Sequence, residues 1–214
     1  MGQKITGKTT ETAIPTAWVE VGGQSISKNN ASGIGKELKT GDEVLAGDTI
    51  LSNSSGRAVI HFADGSELRL DSGTQITLEE ASFEKKNGKS MVKIALVAGS
   101  VWSKVMSLAS PDSLWQVKTS NAVATVRGTA FGVEYRNGKS RILGSENKIA
   151  VAVINPKTKE PIKETEALVT ESRYVEIADK EAAVLAVAPK ALAVKEATPE
   201  IAGSSWVKQN VAED

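Results

Sequence analysis

The chain of 214 residues has no cysteine and only one histidine, His61. No disulfide scaffold, thiol nucleophile or cysteine-bound zinc can be built from it, although lack of cysteine does not fix a compartment. Aromatic residues are scarce, at 4% of the sequence, so each of the four tryptophans stands out. An excess of either charge is also missing, with 26 acidic against 26 basic residues. Such a balance gives no global field to hold nucleic acid or an anionic membrane. No run approaches the roughly 18 apolar residues of a membrane span, and no secretory signal opens the sequence. The polar start Met1-Gly-Gln-Lys-Ile-Thr-Gly-Lys8 fits a segment that follows a removed anchor, and a natural cytoplasmic start stays open beside it.

What is present is a β texture. From Trp18 to about Ile177, valine, isoleucine and threonine run in short alternating stretches cut by Gly, Asn, Asp and Ser every eight to twelve residues. That rhythm predicts an all-β fold, a rolled β-sandwich or β-solenoid-like domain of short strands and hairpins. At Asn137-Gly138 a two-residue type I′ loop would set Val133 opposite Ile142 and Glu134 opposite Arg141, an inward pair and an outward pair of opposite charge. The same arithmetic at Asn87-Gly88 sets Phe83 opposite Val92 and Ala81 opposite Ile94. At Asp64-Gly65 a two-residue loop would mix inward and outward residues, so a three-residue turn or a bulge is expected, opposing Phe62 to Leu68 and Ile60 to Leu70.

The domain plan is a loose leader over 1–16, an all-β domain over 17–178, an Ala/Val/Pro-rich peripheral segment over 179–203, and the start of a C-terminal helix over 204–214. In that helix Ser205 is the expected N-cap, with Val207 and Val211 on one face. It is too short to be stable alone. Asn155-Pro-Lys-Thr-Lys-Glu-Pro-Ile-Lys-Glu164 reads as an exposed loop. Gly41-Asp42 and Gly47-Asp48 form a short echo, each a tight turn with its aspartate bonding nearby amides.

Candidate sites are few. His61 alternates outward with Arg69, a poor setting for the buried, oriented imidazole of a catalytic triad. Asp42, Glu43 and Asp48 lack the ligand spacing of a calcium loop, and turn capping is the better reading. Asp64, Glu67 and Asp71 read as a solvated face rather than a hydrolytic carboxylate pair. Gly33-Ile-Gly-Lys-Glu37 fails as a phosphate loop, because Glu37 stands where a magnesium-binding hydroxyl is needed. Trp102 and Trp115 read either as core residues closing a β roll or as a stacking platform for a sugar or partner. Trp206, on a helix without visible support, is the tryptophan expected to seek a partner surface. Arg127 reads as a structural clamp before a ligand-recognising group. No convergent nucleophile, base and oxyanion site emerges, so neither an enzyme nor a cofactor is expected.

The most distinctive stretch is Asn121-Ala-Val-Ala-Thr-Val-Arg-Gly-Thr-Ala-Phe-Gly-Val133, two β runs joined through Arg127-Gly128-Thr129 and continuing through Phe131. Upstream stand Leu38-Lys-Thr-Gly-Asp42, Gly47-Asp-Thr-Ile50, Asp64-Gly65-Ser-Glu-Leu-Arg-Leu70 and Ile94-Ala-Leu-Val-Ala-Gly-Ser-Val-Trp102. In order and spacing these segments resemble the FecR domain over about residues 17–154. The resemblance implies a non-enzymatic all-β module outside the cytoplasmic membrane of bacteria, usually attached to a membrane helix. In the best-known members it passes a signal from an outer-membrane transporter to a cytoplasmic sigma factor. Anti-sigma helices, a membrane span and an αβ docking domain are not evident in this sequence. The resemblance therefore leads to an envelope sensor or adaptor with a protein partner, in the periplasm or at the cell surface. A structural or polysaccharide-binding surface protein is the alternative.

Overall fold

The computed structural model of the protein describes residues 17–22, 26–29, 35–84, 86–106 and 108–214. The expected leader over 1–16 lies outside them. The strands are β1 (Ala17–Gly22), β2 (Ile26–Asn29), β3 (Gly35–Glu37), β4 (Thr49–Ser52), β5 (Arg57–Phe62), β6 (Glu67–Leu70), β7 (Gln75–Glu84) and β8 (Lys89–Lys104). They continue with β9 (Leu114–Lys118), β10 (Ala122–Val126), β11 (Ala130–Arg136), β12 (Lys139–Gly144), β13 (Lys148–Ile154), β14 (Pro161–Thr170) and β15 (Arg173–Ala178). After β15 come α1 (Asp179–Leu185), β16 (Lys195–Glu196), α2 (Pro199–Ala202) and α3 (Ser205–Glu213).

Two layers share one long strand. The first runs β1-β5-β6-β8-β11-β12-β15-β16, and the second runs β3-β2-β4-β7-β8-β9-β10-β13-β14. The first half of β8 pairs with β7 and β9, and its second half with β6 and β11. Pairing between the named strands is antiparallel except between β8 and β9. The expected all-β fold thus takes the form of a rolled sandwich.

The crossing inside β8 has a physical cause. Val92, Ile94 and Leu96 point into the core, and so does Val101, although its parity is opposite. The ladder with β7 slips between Leu96 and Ala98, which leaves Val97 exposed. One extra residue reverses which face each later side chain takes, so both halves of the strand keep an apolar face inward. The bend follows at Gly99, with φ +100°. A side chain there would lie 2.5 Å from the Cα of Thr74 and 2.8 Å from the carbonyl of Gly73.

Between the layers Ile60, Leu68, Ile76, Leu78, Ile94, Phe131, Val133, Ile142, Val151 and Val175 form one continuous core. The two Gly-Asp turns seal one side of it, and they are near copies. Oδ2 of Asp42 accepts from the amide of Lys39, and Oδ2 of Asp48 from that of Leu45, both at 2.9 Å. Gly41 and Asp42 exchange backbone hydrogen bonds with Val19 of β1, while Gly47 and Asp48 do so with Leu78 of β7. Between the two turns Val44 is fully buried, as Leu38 is just before them.

Hairpin registers test the sequence reading directly. At Asn137-Gly138 both residues have positive φ, Val133 opposes Ile142 and Glu134 opposes Arg141, as expected. At Asp64-Gly65 the loop has three residues, but the pairs are Ile60–Leu68 and Ala58–Leu70, two residues from those expected. At Asn87-Gly88 the pairing is Ala81–Val92 and Phe83–Ser90, which also corrects the expected register by two. The polar connection after Ile154 is shorter than expected, because β14 already starts at Pro161. The segment over 179–203 is not merely peripheral: Ala182, Leu185 and Leu192 are buried against the core.

Candidate functional site

The tryptophans lead to the site. Trp102 and Trp115 are both fully buried, which fits the reading of them as core residues and leaves no stacking platform. Trp115 sits in the main core, edge-on to Phe62 at 4.9 Å between ring centres. Trp102 points the other way, onto the outer face of the first layer, because it neighbours Val101 on a strand whose alternate residues take opposite faces. There Trp102, Ala130, Leu143, Tyr174 and Val207 form a second, separate cluster with Trp206, Ile201 and Ala197 packed against it.

Helix α3 lies across this face and is held by specific contacts. Trp206 meets Trp102 edge-to-face at 5.6 Å. Its ring fills the notch left by Gly132, where a Cβ would stand 2.5 Å from Cη2 of Trp206 and 3.1 Å from Cε3 of Trp102. At the far end of the helix, Nε1 of Trp102 donates to Oδ2 of Asp214 at 2.8 Å. Arg69 donates to Oδ1 of Asp214 at 2.8 Å and to the carbonyls of Asn210 and Glu213 at 3.1 and 3.2 Å. Lys104 donates to the carbonyl of Asp214.

The last carbonyls of a helix have no partner within it and carry the negative end of its dipole. A guanidinium with five donors answers both needs. Arg69 is therefore not the solvent-facing arginine expected from strand alternation; the helix buries it to 8% exposure. The helix N-cap is Ser204 rather than Ser205, with its hydroxyl accepting from the amide of Val207. Val207 is buried while Val211 is about half exposed, so the docked face is Trp206, Val207, Asn210 and Asp214. The partner surface expected for Trp206 is thus filled by the protein itself.

Charged side chains line the troughs beside the helix. A cleft of about 680 Å³ is bordered by Glu20, Arg57, His61, Glu67, Trp206 and Gln209. A smaller one of about 330 Å³ is bordered by Glu134, Arg136, Arg141, Glu200, Ser204 and Trp206. His61 stacks on Trp18 at 4.1 Å and stands between Glu20 at 3.2 Å and Glu67 at 3.5 Å. Glu67 also holds Arg69 at 3.1 Å. Beyond the smaller cleft, burial pushes the Glu176 carboxyl up, but hydrogen bonds from Arg141 and Lys139 outweigh it and hold it below the ordinary range.

The family motif residues have other places. Oδ1 of Asp64 accepts from the amide of Ser66, and Gly65 takes φ +84°, so this pair shapes the β5–β6 turn. Gly128 has φ +130° and Thr129 donates to the carbonyl of Glu146 at 2.7 Å, tying two crossings between the layers. Thr129 fills the clamp role expected of Arg127, whose side chain is exposed. Phe131 is fully buried. Asp42 and Asp48 cap turns, as expected. Among the described residues, no cluster of three or more His, Cys, Asp or Glu could hold a metal ion, and no helix is long and apolar enough to cross a membrane.

Sequence reasoning missed Arg69, Gly132, Asn210 and Asp214. The available signal was the spacing Trp206, Asn210, Asp214, which places three recognition groups on one helix face.

Comparison with solved structures finds the same fold in two crystal structures of a "putative anti-sigma factor" from Parabacteroides distasonis, at 1.65 and 2.50 Å. Each has a TM-score of 0.50 and 15% sequence identity, and the match covers 71% of this chain and 61% of that one. Comparison with curated proteins gives no match. The family model described as FecR protein matches residues 48–150, the stretch from the second Gly-Asp turn to the middle of β13. Over that stretch, a little under half of its length, this chain resembles a FecR domain.

Proposed function

We propose that the protein is a non-enzymatic sensor or adaptor of a bacterial envelope signalling system, placed outside the cytoplasmic membrane and working through protein contacts. The observation that carries this reading is the outer face of the first layer, where Arg69, Trp102 and Gly132 hold a helix by its side chains and by its terminal carbonyls together. Such a surface recognises a peptide rather than a small molecule. The FecR-like domain beneath it supports a regulatory role. The polysaccharide alternative rested on Trp102 and Trp115, and neither offers a face to a sugar.

The test is chemical cross-linking on envelope fractions with this chain as bait, followed by mass spectrometry. The expected result is one enriched envelope protein whose cross-links fall on the strapped face and weaken when Arg136, exposed beside the smaller cleft, becomes glutamate. Enrichment of polysaccharide, unaffected by that change, would overturn the reading.

A further inference from the structure

We infer that the Arg69–Trp102–Gly132 surface is a helix receptor, that α3 is its tethered ligand, and that a helix of a partner protein displaces α3. The partner helix bears an aromatic residue and, two turns further on, a carboxylate. This inference rests on the protein-contact reading and adds the chemistry of the partner.

Three observations carry it. The first is that the contact is separable. The cluster under α3 shares no residue with the main core, so lifting the helix leaves the sandwich closed. A nine-residue helix is too short to persist alone, so α3 is helical because it is docked.

The second is that the surface reads a short pattern. An indole enters the Gly132 notch, the Trp102 ring nitrogen meets a carboxylate, and Arg69 meets that carboxylate and two main-chain carbonyls. The Asn210 amide donates within α3, to the carbonyl of Trp206, so the receptor does not read it. Carbonyl recognition is independent of sequence, so another helix with this indole and carboxylate would satisfy the same donors. Its polarity is fixed, with the C-terminal end over Arg69 and Lys104, where the negative end of the helix dipole belongs.

The third is that α3 does not fill its trough. Clefts of about 680 and 330 Å³ flank it, and Trp206 borders both. Among α3 residues only Val207 and Asn210 are classed as buried. A helix with larger side chains facing these clefts would cover more of Arg57, Glu67, Arg136 and Arg141 than α3 does, and this gives it the advantage in exchange. A tethered ligand acts at an effective concentration in the millimolar range, so a competitor needs that advantage or a weakened tether.

The test uses the full chain and a fluorescent synthetic peptide of residues 198–214. Two variants weaken the cis contact without altering the receptor: Trp206→Ala, and a ten-residue Gly/Ser insertion between Gly203 and Ser204. Each should bind the peptide at least about tenfold more tightly than the unmodified chain, because cis competition has fallen. Binding should drop about tenfold for a peptide carrying Asp214→Asn, and should be lost when Arg69→Met is added to the insertion variant. No peptide binding by an insertion variant with the unmodified circular dichroism spectrum would overturn the inference. So would equal binding with and without Arg69, or a concentration-dependent dimer of the insertion variant, which would make the occupant a second copy.

Discussion

Adding one methyl group at Gly132 tests whether the notch seats α3. A Cβ at this position stands 2.5 Å from Cη2 of Trp206, whereas carbon atoms settle at about 3.5–4.0 Å. The indole must retreat by about 1 Å, and Trp102 blocks its sideways movement. Gly132→Ala therefore lifts the ring, and with it the helix. A tryptophan buries about 150–250 Å², and Trp206 is mostly buried, so a partial lift of the ring returns about 100 Å² to water. At about 25 cal/mol per Å² this costs about 2.5 kcal/mol, and the lost ring–ring contact adds about 0.5–1 kcal/mol. A total near 3 kcal/mol raises the population of undocked α3 by roughly a hundredfold. Native-state hydrogen exchange reads this at the amides of Gln209 to Glu213, while those of β11 and β12 should keep their protection. Unchanged exchange in α3 would refute the reasoning. Equal loss across Val133–Ile142 would also refute it, because the strand rather than the helix would then have yielded.

Other outcomes follow from the remaining geometry. Asn121 is buried, and its amide donates to the carbonyls of Gly138 and Ile177 and to Asp179. Asn121→Leu removes these bonds and the acceptor of the buried Thr119 and Ser140 hydroxyls, and should cost about 2–3 kcal/mol in urea unfolding; a change below about 0.5 would contradict the network. Gly99→Ala sets a side chain against the backbone of Thr74 and Gly73, whereas Gly73→Ala, with φ +64°, meets nothing within 4 Å. The first should abolish soluble folding and the second should cost only about 1–2 kcal/mol, the ordinary left-handed penalty. Equal melting temperatures for the two would refute the account of the bend. The Lys39 amide, then Lys36, hold Asp42 below its ordinary 3.8, and Glu176 stays below its ordinary 4.5. Both carboxyls have folded pKa values below their unfolded ones, so their contribution is present above the ordinary values and is lost as pH falls through the folded values. Urea midpoints measured from pH 6 downward should decline through that window, and less steeply for the Asp42→Asn, Glu176→Gln double variant. Identical slopes would remove these two groups as the cause.

Much of the fold was legible because strands alternate. The β10 and β11 runs, the break at Arg127-Gly128-Thr129 and the Asn137-Gly138 register were all readable from side-chain period and turn chemistry. The other two hairpins slipped by two residues because a shift of two keeps every side chain on its own face. Hydrophobic pattern cannot separate such registers; the length and position of the loop decide them. The site was less legible for a related reason. Alternation gives the outer face of a layer as solvent, so Arg69 read as exposed and Gly132 as an ordinary motif glycine. Only a helix arriving some seventy to one hundred and fifty residues later buries the first and needs the notch of the second. Trp206 was expected to seek a partner surface, and in the structure its ring lies against Trp102 of its own chain.

The twin Gly-Asp turns bear on how the molecule meets its neighbours in a crowded compartment. Terminal strands of open sheets offer a row of free amides and carbonyls to which another chain can add. Strand β1 ends its layer and pairs with β5 on one side, while on the other side Val19 donates to the carbonyl of Asp42 and accepts from the amide of Gly41. Its amide and carbonyl are both spent within the chain, so β1 offers no template there for fibrous self-association. Solvent deuterium should therefore enter the Val19 amide as slowly as it enters the middle of a layer.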